Sequence, residues 1–243
     1  MIDYWGRIPK ALADCGIPVY YGQTDAWGSI ESNAECIRGR IGDILRDEGT
    51  EKVNIVAHSR GGLEARHAIS TLGMAHAVAS LTTIATPHHG VKAMNIALGL
   101  PLWFYRLVAF VVDRLARLFG DRQPDFFTSS RQLSERCCRR FNECNPDSPD
   151  VYCQSYAARM KHCFGDPFYL LMNPFIRLTD GENDGLCPVE SAKWGEFQGV
   201  VVSQGLRDVS HIGIIDRYGI RYKGWDIPSF YVGIVEALAR KGM

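Results

Sequence analysis

The sequence predicts an α/β domain built on a mostly parallel sheet with helices on both faces. Three observations carry that expectation. Short apolar, β-branched runs at Val53–Ala57 and Leu81–Ala85 read as buried parallel strands rather than half-exposed ones. Segments of helical period alternate with them, as a βαβ arrangement requires. The two runs also end in turn-forming sequence: Ala57-His58-Ser59-Arg60-Gly61 after the first and Thr86-Pro87-His88-His89-Gly90 after the second.

Taken in order, Tyr4 to Cys15 predicts a helix stopped by Gly16, and Ile17 to Tyr21 a strand entered through Pro18. Ser32-Asn33-Ala34-Glu35 has the pattern of a capping box. It lies in an amphipathic segment with Ile30, Ile37, Ile41, Ile44 and Leu45 on one face and Gly49 beyond its end. Gly61 to Leu72 follows the first strand as a helix, with Gly73 as its stop. Leu98 to Phe119 is strongly apolar, and within it Asp113 and Arg117 stand at a favourable i,i+4 spacing. Pro101 and Arg106 interrupt a run already short for a membrane span, so a buried helix or a helix lying over an apolar pocket is expected instead. Arg122 to Gly165 is polar, cysteine-rich and broken by proline, which suits a cap insertion over roughly residues 91–175 of a single domain, 1–243. Val151–Ala157 and Val200–Val202 read as further strands, Phe168–Leu178 as an apolar helical stretch, and Pro228–Arg240 as a terminal helix.

Composition narrows the classes. Lysine plus arginine equals aspartate plus glutamate at 27 each, which argues against a generic nucleic-acid binder. No stretch has the form of a signal peptide, and the eight cysteines contain no C-x-x-C pair. Mostly free thiols in a reducing compartment are expected, with a disulfide conceivable among the five between Cys137 and Cys163.

Chemistry concentrates at the first turn. A small-x-Ser-x-Gly sequence between strand and helix holds its serine on a strained, sharp bend, with Ser59 Oγ above the sheet. The N–H of Arg60, free at the start of the helix, can then meet a developing oxyanion. A serine that merely caps the helix is the plainer alternative. A nucleophilic serine needs a base, and the base an acid to orient it. In strand–elbow–helix folds the order is serine, acid, histidine, and His211 is the single histidine after His162. For the acid, Asp184 and Asp180 both lie in a turn-rich loop, and Asp208 is close enough to His211 to serve the loop itself.

Val53-Asn54-Ile55-Val56-Ala57-His58-Ser59-Arg60-Gly61-Gly62 resembles the nucleophile elbow of the bacterial triacylglycerol lipases, within the α/β-hydrolase superfamily. Thr83–Gly90 is similar to their following segment, Asn183-Asp184-Gly185-Leu186 to their acid loop, and Ser210-His211 to their histidine loop. The resemblance implies an α/β-hydrolase fold with a helical lid and a Ser59–Asp184–His211 triad, with Arg60 in the oxyanion hole. It further implies hydrolysis of acylglycerols or other acyl esters, no cofactor, and transient contact of the lid with a lipid surface. An acyltransferase with the same triad, or a non-catalytic remnant, is the competing expectation. Two departures from the pattern stand out. The strand ending in His-Gly that supplies a second oxyanion donor is expected to be missing here, the sequence starting beyond it at Met1-Ile2-Asp3. Gly213 stands where many of these lipases have a calcium-binding carboxylate, with Asp216 the nearest acid, so calcium is not expected.

Overall fold

The computed structural model describes residues 4–118 and 120–243. Its elements, in chain order, are α1 (Ile8–Asp14), α2 (Ile30–Glu48), β1 (Val53–His58), α3 (Gly61–Ser70) and β2 (Val78–Ile84). Then come α4 (Lys92–Leu98), α5 (Leu102–Leu118), α6 (Phe126–Gln132), α7 (Glu135–Cys144) and β3 (Tyr152–Ala158). The chain closes with α8 (Met172–Asp180), α9 (Val189–Ala192), β4 (Glu196–Val201) and α10 (Ile227–Arg240).

The strands form one sheet in the order β1-β2-β3-β4, every neighbouring pair parallel. Parallel strands must be buried on both faces, and two apolar clusters do this. On one face Ile8 and Leu12 of α1 and Tyr231, Ile234 and Leu238 of α10 pack with Ile84, Ala158 and Val201 of the sheet. On the other, Ile41 of α2 and Ala65 and Ile69 of α3 pack with Ala57, Val78 and Leu81. Leu63 is fully buried, so its truncation to alanine is expected to cost about 2–5 kcal/mol.

Local sequence explains the element ends. Helix α2 is capped by Ser29, whose Oγ accepts from Ser32 N at 3.1 Å, and ends at Gly49 in the left-handed region. The cap thus falls three residues before the box expected at Ser32, because Ile30 must already turn inward to reach Leu63 and Cys138. Ile17 to Tyr21 is no strand: it joins no ladder, and Ile17 and Val19 pack instead against the α1–α10 cluster. All eight cysteines are free.

The helices between β2 and β3 and those between β3 and β4 meet where α4 packs on α8, above the carboxyl ends of the strands. Helix α5 buries only Tyr105, Ala109 and Ala116, and turns Trp103, Leu107 and Phe110 outward at 70, 54 and 62% exposure. Asp113 does not pair with Arg117; its carboxylate accepts from Phe126 N at 2.7 Å, which starts α6. Phe119, the last residue of the expected apolar run, lies outside the described residues, as do Met1, Ile2 and Asp3. Among the described residues no helix is long and apolar enough to cross a membrane.

Candidate active site

The elbow forms where the sequence places it. Ser59 follows β1 directly and holds φ at +55°, a left-handed conformation that costs a non-glycine residue about 1–3 kcal/mol. Surrounding bonds fix it there: Ser59 N donates to Ile84 O at 2.9 Å, and Thr86 Oγ1 donates to Ser59 O at 2.7 Å. The tight packing falls one residue later than the motif suggests. A Cβ at Gly61 would meet nothing, whereas at Gly62 it would lie 2.3 Å from Thr86 Oγ1 and 2.9 Å from Thr83 Cγ2. Gly62 therefore lets α3 approach the end of β2.

Three chain segments converge on this turn. His211 Nε2 and Ser59 Oγ are 2.8 Å apart, and His211 Nδ1 lies 2.8 Å from Asp184 Oδ2. Asp184 is fully buried and His211 nearly so. The second carboxylate oxygen of Asp184 accepts from Leu186 N at 3.0 Å and Cys187 N at 2.7 Å, and His211 N donates to Asp184 O at 2.8 Å. A carboxylate held this way presents one oxygen, in one direction, to the imidazole.

The acid loop is built from its turn residues. Asn183 Oδ1 accepts from Gly185 N at 2.8 Å and Asn173 Nδ2 at 2.9 Å, while its own amide donates to Asn173 O and Gly181 O. Gly185 sits at φ +106°, and a Cβ there would stand 2.4 Å from the Tyr169 ring. Asp180 is elsewhere: its two oxygens accept from Lys92 N and Ala93 N, at the start of α4. Asp208, whose spacing suggests a role within its own loop, instead accepts from Lys161 N at 2.9 Å and His162 N at 3.3 Å and ties the histidine loop to the segment after β3.

Arg60 N–H, at the N-terminal cap of α3, has no acceptor among the described residues, and so stands free beside Ser59. The Arg60 side chain points away, with Nε 3.0 Å from Glu64 Oε1. Burial pushes the Glu64 carboxyl up despite Arg60 and the amide of Asn33, which donates to it at 2.8 Å. His58, wholly enclosed, is held well below the usual histidine range by burial and then by His211, whose ring centroid is 4.5 Å away. Tyr4 Oη shares a 2.7 Å hydrogen bond with His58 Nδ1.

At the positions compared with the family's calcium site, Gly213 and Asp216 are engaged by the protein itself. A Cβ at Gly213 would lie 2.4 Å from Tyr222 Oη, and Asp216 is already bound by a guanidinium. Arg7 donates to it three times: from N and Nε to Oδ2 at 2.9 and 2.7 Å, and from Nη2 to Oδ1 at 2.6 Å. Among the described residues no cluster of three or more His, Cys, Asp or Glu could hold a metal. The Arg7–Asp216 contact and the roles of Asn183 and Gly185 escaped sequence reading. The turn-rich composition of 179–185 and the resemblance of 183–186 to an acid loop marked the segment, but not these contacts.

Comparison with known proteins bears on the class of chemistry. Residues 21–120 match the family described as "Putative serine esterase (DUF676)". Triacylglycerol lipase 2 of Saccharomyces cerevisiae is 29% identical over 265 residues, which span 99% of this chain and 74% of that protein. The lipase of Staphylococcus hyicus superposes over 99% of this chain and 90% of its own, with a TM-score of 0.74 and 16% identity. The chain is similar along nearly its whole length to a triacylglycerol lipase and has the α/β-hydrolase fold of solved lipases. It is a carboxylic-ester hydrolase. A shorter match joins this hydrolase to the triacylglycerol lipase of Vibrio cholerae, 33% identical over 98 residues, 40% of this chain and 31% of that protein. In this hydrolase the turn after β1, the loop before α9 and the loop after β4 meet at the carboxyl ends of parallel strands. That is where open α/β sheets bind their ligands.

Proposed function

We propose that Ser59, His211 and Asp184 carry out the hydrolysis of acyl esters, acylglycerols among them, through an acyl-enzyme. The observation that supports this is the unbroken hydrogen-bonded line from Ser59 Oγ through His211 to Asp184 Oδ2. Ser59 Oγ attacks the ester carbonyl carbon as His211 Nε2 takes its proton, and the Arg60 N–H receives the oxyanion. Collapse breaks the ester C–O bond, and His211 returns the proton to the departing alcohol. Water, deprotonated by His211, then attacks the acyl carbon and releases the acid and Ser59. Asp184 keeps Nδ1 protonated and so leaves Nε2 free to act as base.

The expected cap of roughly 91–175 is divided by β3, which belongs to the sheet; α4 to α7 before it and α8 after it serve as the cap, with α5 as a lid over an acyl pocket that meets lipid at its outer face. Activity on p-nitrophenyl esters of short and long chain tests the reading. Ser59→Ala and His211→Ala should each abolish turnover while leaving the unfolding transition in place. Persistent turnover by the Ser59→Ala protein would sink it.

A further inference from the structure

Helix α5 presents apolar and basic groups together. At 100° per residue, Trp103, Leu107, Phe110, Val111 and Leu118 form one outward arc. Arg114 projects from within that arc, and Arg106 and Arg117 run along one flank. The arginines are gathered on rings rather than on acids. The guanidinium carbons of Arg106 and Arg131 lie 5.9 and 5.1 Å from the centroid of Phe127, and that of Arg114 lies 6.0 Å from Phe110. None of these arginines has a carboxylate within ion-pair distance among the described residues.

The nearby acids are engaged by backbone. Asp113 accepts from Phe126 N, Asp121 from Ala26 N and Trp27 N, and Asp125 from Thr128 N. Residues 91–145 hold nine basic and five acidic side chains, so this segment is basic within a chain of no net charge. Two guanidinium groups on one ring with no counter-charge define a place for an anion, and the apolar arc beside it defines a place for hydrocarbon.

We propose that the α5–α6 face docks on an anionic phospholipid bilayer. The arc enters the acyl boundary, and Arg106, Arg114 and Arg131 meet lipid phosphates. This rests on the reading of α5 as the lipid-facing lid and adds to it a choice of surface. A nucleic acid would supply phosphates too, and Trp103 and Phe110 could stack on bases, but it has no hydrocarbon to cover the aliphatic Leu107, Val111 and Leu118, as a bilayer does.

Vesicle flotation tests the proposal, with liposomes of phosphatidylcholine alone and of phosphatidylcholine mixed equally with phosphatidylglycerol. The full chain should bind the mixed vesicles about a hundredfold more tightly, at roughly fivefold for each arginine, and the difference should shrink as salt is raised. The variant carrying Arg106→Gln, Arg114→Gln and Arg131→Gln should lose that difference and keep its unfolding midpoint. Phe110→Ser with Val111→Ser should weaken binding to both vesicles. Equal binding of the unaltered chain to both would overturn the proposal, as would a triple variant that keeps the preference, or tighter binding to a single-stranded oligonucleotide than to mixed vesicles. The catalytic reading is judged separately, on a soluble short-chain ester without vesicles.

Discussion

Asp25 and Asp121 cap each other's loops. The Asp25 carboxylate accepts from Arg122 N at 2.9 Å and Gln123 N at 2.6 Å, and the Asp121 carboxylate accepts from Ala26 N at 3.0 Å and Trp27 N at 2.9 Å. Trp27 O in turn accepts from Asp125 N at 2.7 Å. Arg60 Nη2 donates to the carbonyls of Asp25 and Ala26, so the clasp at the carboxyl end of α5 is tied to the residue after the elbow serine.

Breaking one half of this clasp should loosen that end of α5. Asp121→Ala leaves two backbone donors without their acceptor, and because the site is exposed, water replaces part of the loss. A cost of about 1 kcal/mol is expected. Limited proteolysis should show faster cleavage near residues 118–123, and a double-mutant cycle with Asp25→Ala should give a coupling of similar size. Strict additivity of the two changes would count against a shared clasp.

The two candidate acids should separate cleanly by kinetics. Asp184→Asn should lower kcat by about 10³–10⁴-fold, since an amide at this position favours the wrong histidine tautomer. Asp180→Asn removes the acceptor for Lys92 N and Ala93 N and should disturb α4 while leaving soluble ester hydrolysis within a few-fold of normal. The reverse ranking would move the acid role to Asp180.

Arg7 and Asp216 hold the first helix to the histidine loop. Asp216 is buried, and Arg7 is its cation, with a side chain 42% exposed. Removing the partner of a buried charge costs about 3–5 kcal/mol, and solvent access to Arg7 reduces this to about 1–3 kcal/mol for Arg7→Ala. Asp216→Asn, which keeps the shape, should cost less. With a guanidinium already on this acid, a chelator should leave the unfolding midpoint and the esterase rate unchanged. A fall in either on chelation would show that a cation binds there.

Stability should fall on the acid side of neutrality. His58 and His88 are both enclosed and both held well below the usual histidine range, by burial first and then by neighbouring charge, His211 for one and Arg66 for the other. The unfolded chain takes up protons at these sites near pH 6.5, while the folded chain does not. Their contribution is therefore present above about pH 6.5 and is lost as pH falls below it. Glu64 acts in the opposite sense: its raised carboxyl favours the folded state most below the ordinary glutamate range, and that gain fades as pH rises. Denaturant melts at a series of pH values should show a decline below pH 6.5 that His88→Asn reduces. A flat profile there would mean that neither ring is kept neutral by the fold.

What could be read along the chain was what depends on neighbours in sequence. The elbow announces itself because strand, bend and helix follow within twenty residues. His211 stands out because no histidine follows it and none precedes it closer than His162. Asp184 and Asp180 looked alike because both sit in the same turn-rich stretch. They part company only through Lys92 and His211, which no local pattern connects to them. Ile17 to Tyr21 has strand composition, but a strand needs a ladder, and its apolar side chains settled on the α1–α10 cluster. Asp113 is spaced correctly for Arg117, yet a backbone N–H at the start of α6 held it instead. Exposed ion pairs are worth only about 0.3–0.5 kcal/mol at that spacing, too little to outbid a helix start.

The arginines around α5 bear on how copies of this chain treat one another. With 27 basic and 27 acidic residues in all, the surplus of positive charge in 91–145 leaves the rest of the chain with an equal surplus of negative charge. The molecule is thus a dipole without a net charge. Near an anionic surface it experiences a torque that turns the α5 face forward before contact. Away from one, no long-range repulsion keeps copies apart, and the basic end of one finds the acidic remainder of the next. Dilute salt, with a Debye length near 10 Å at 0.1 M, should disperse such head-to-tail pairs, and buffers of very low ionic strength should promote them.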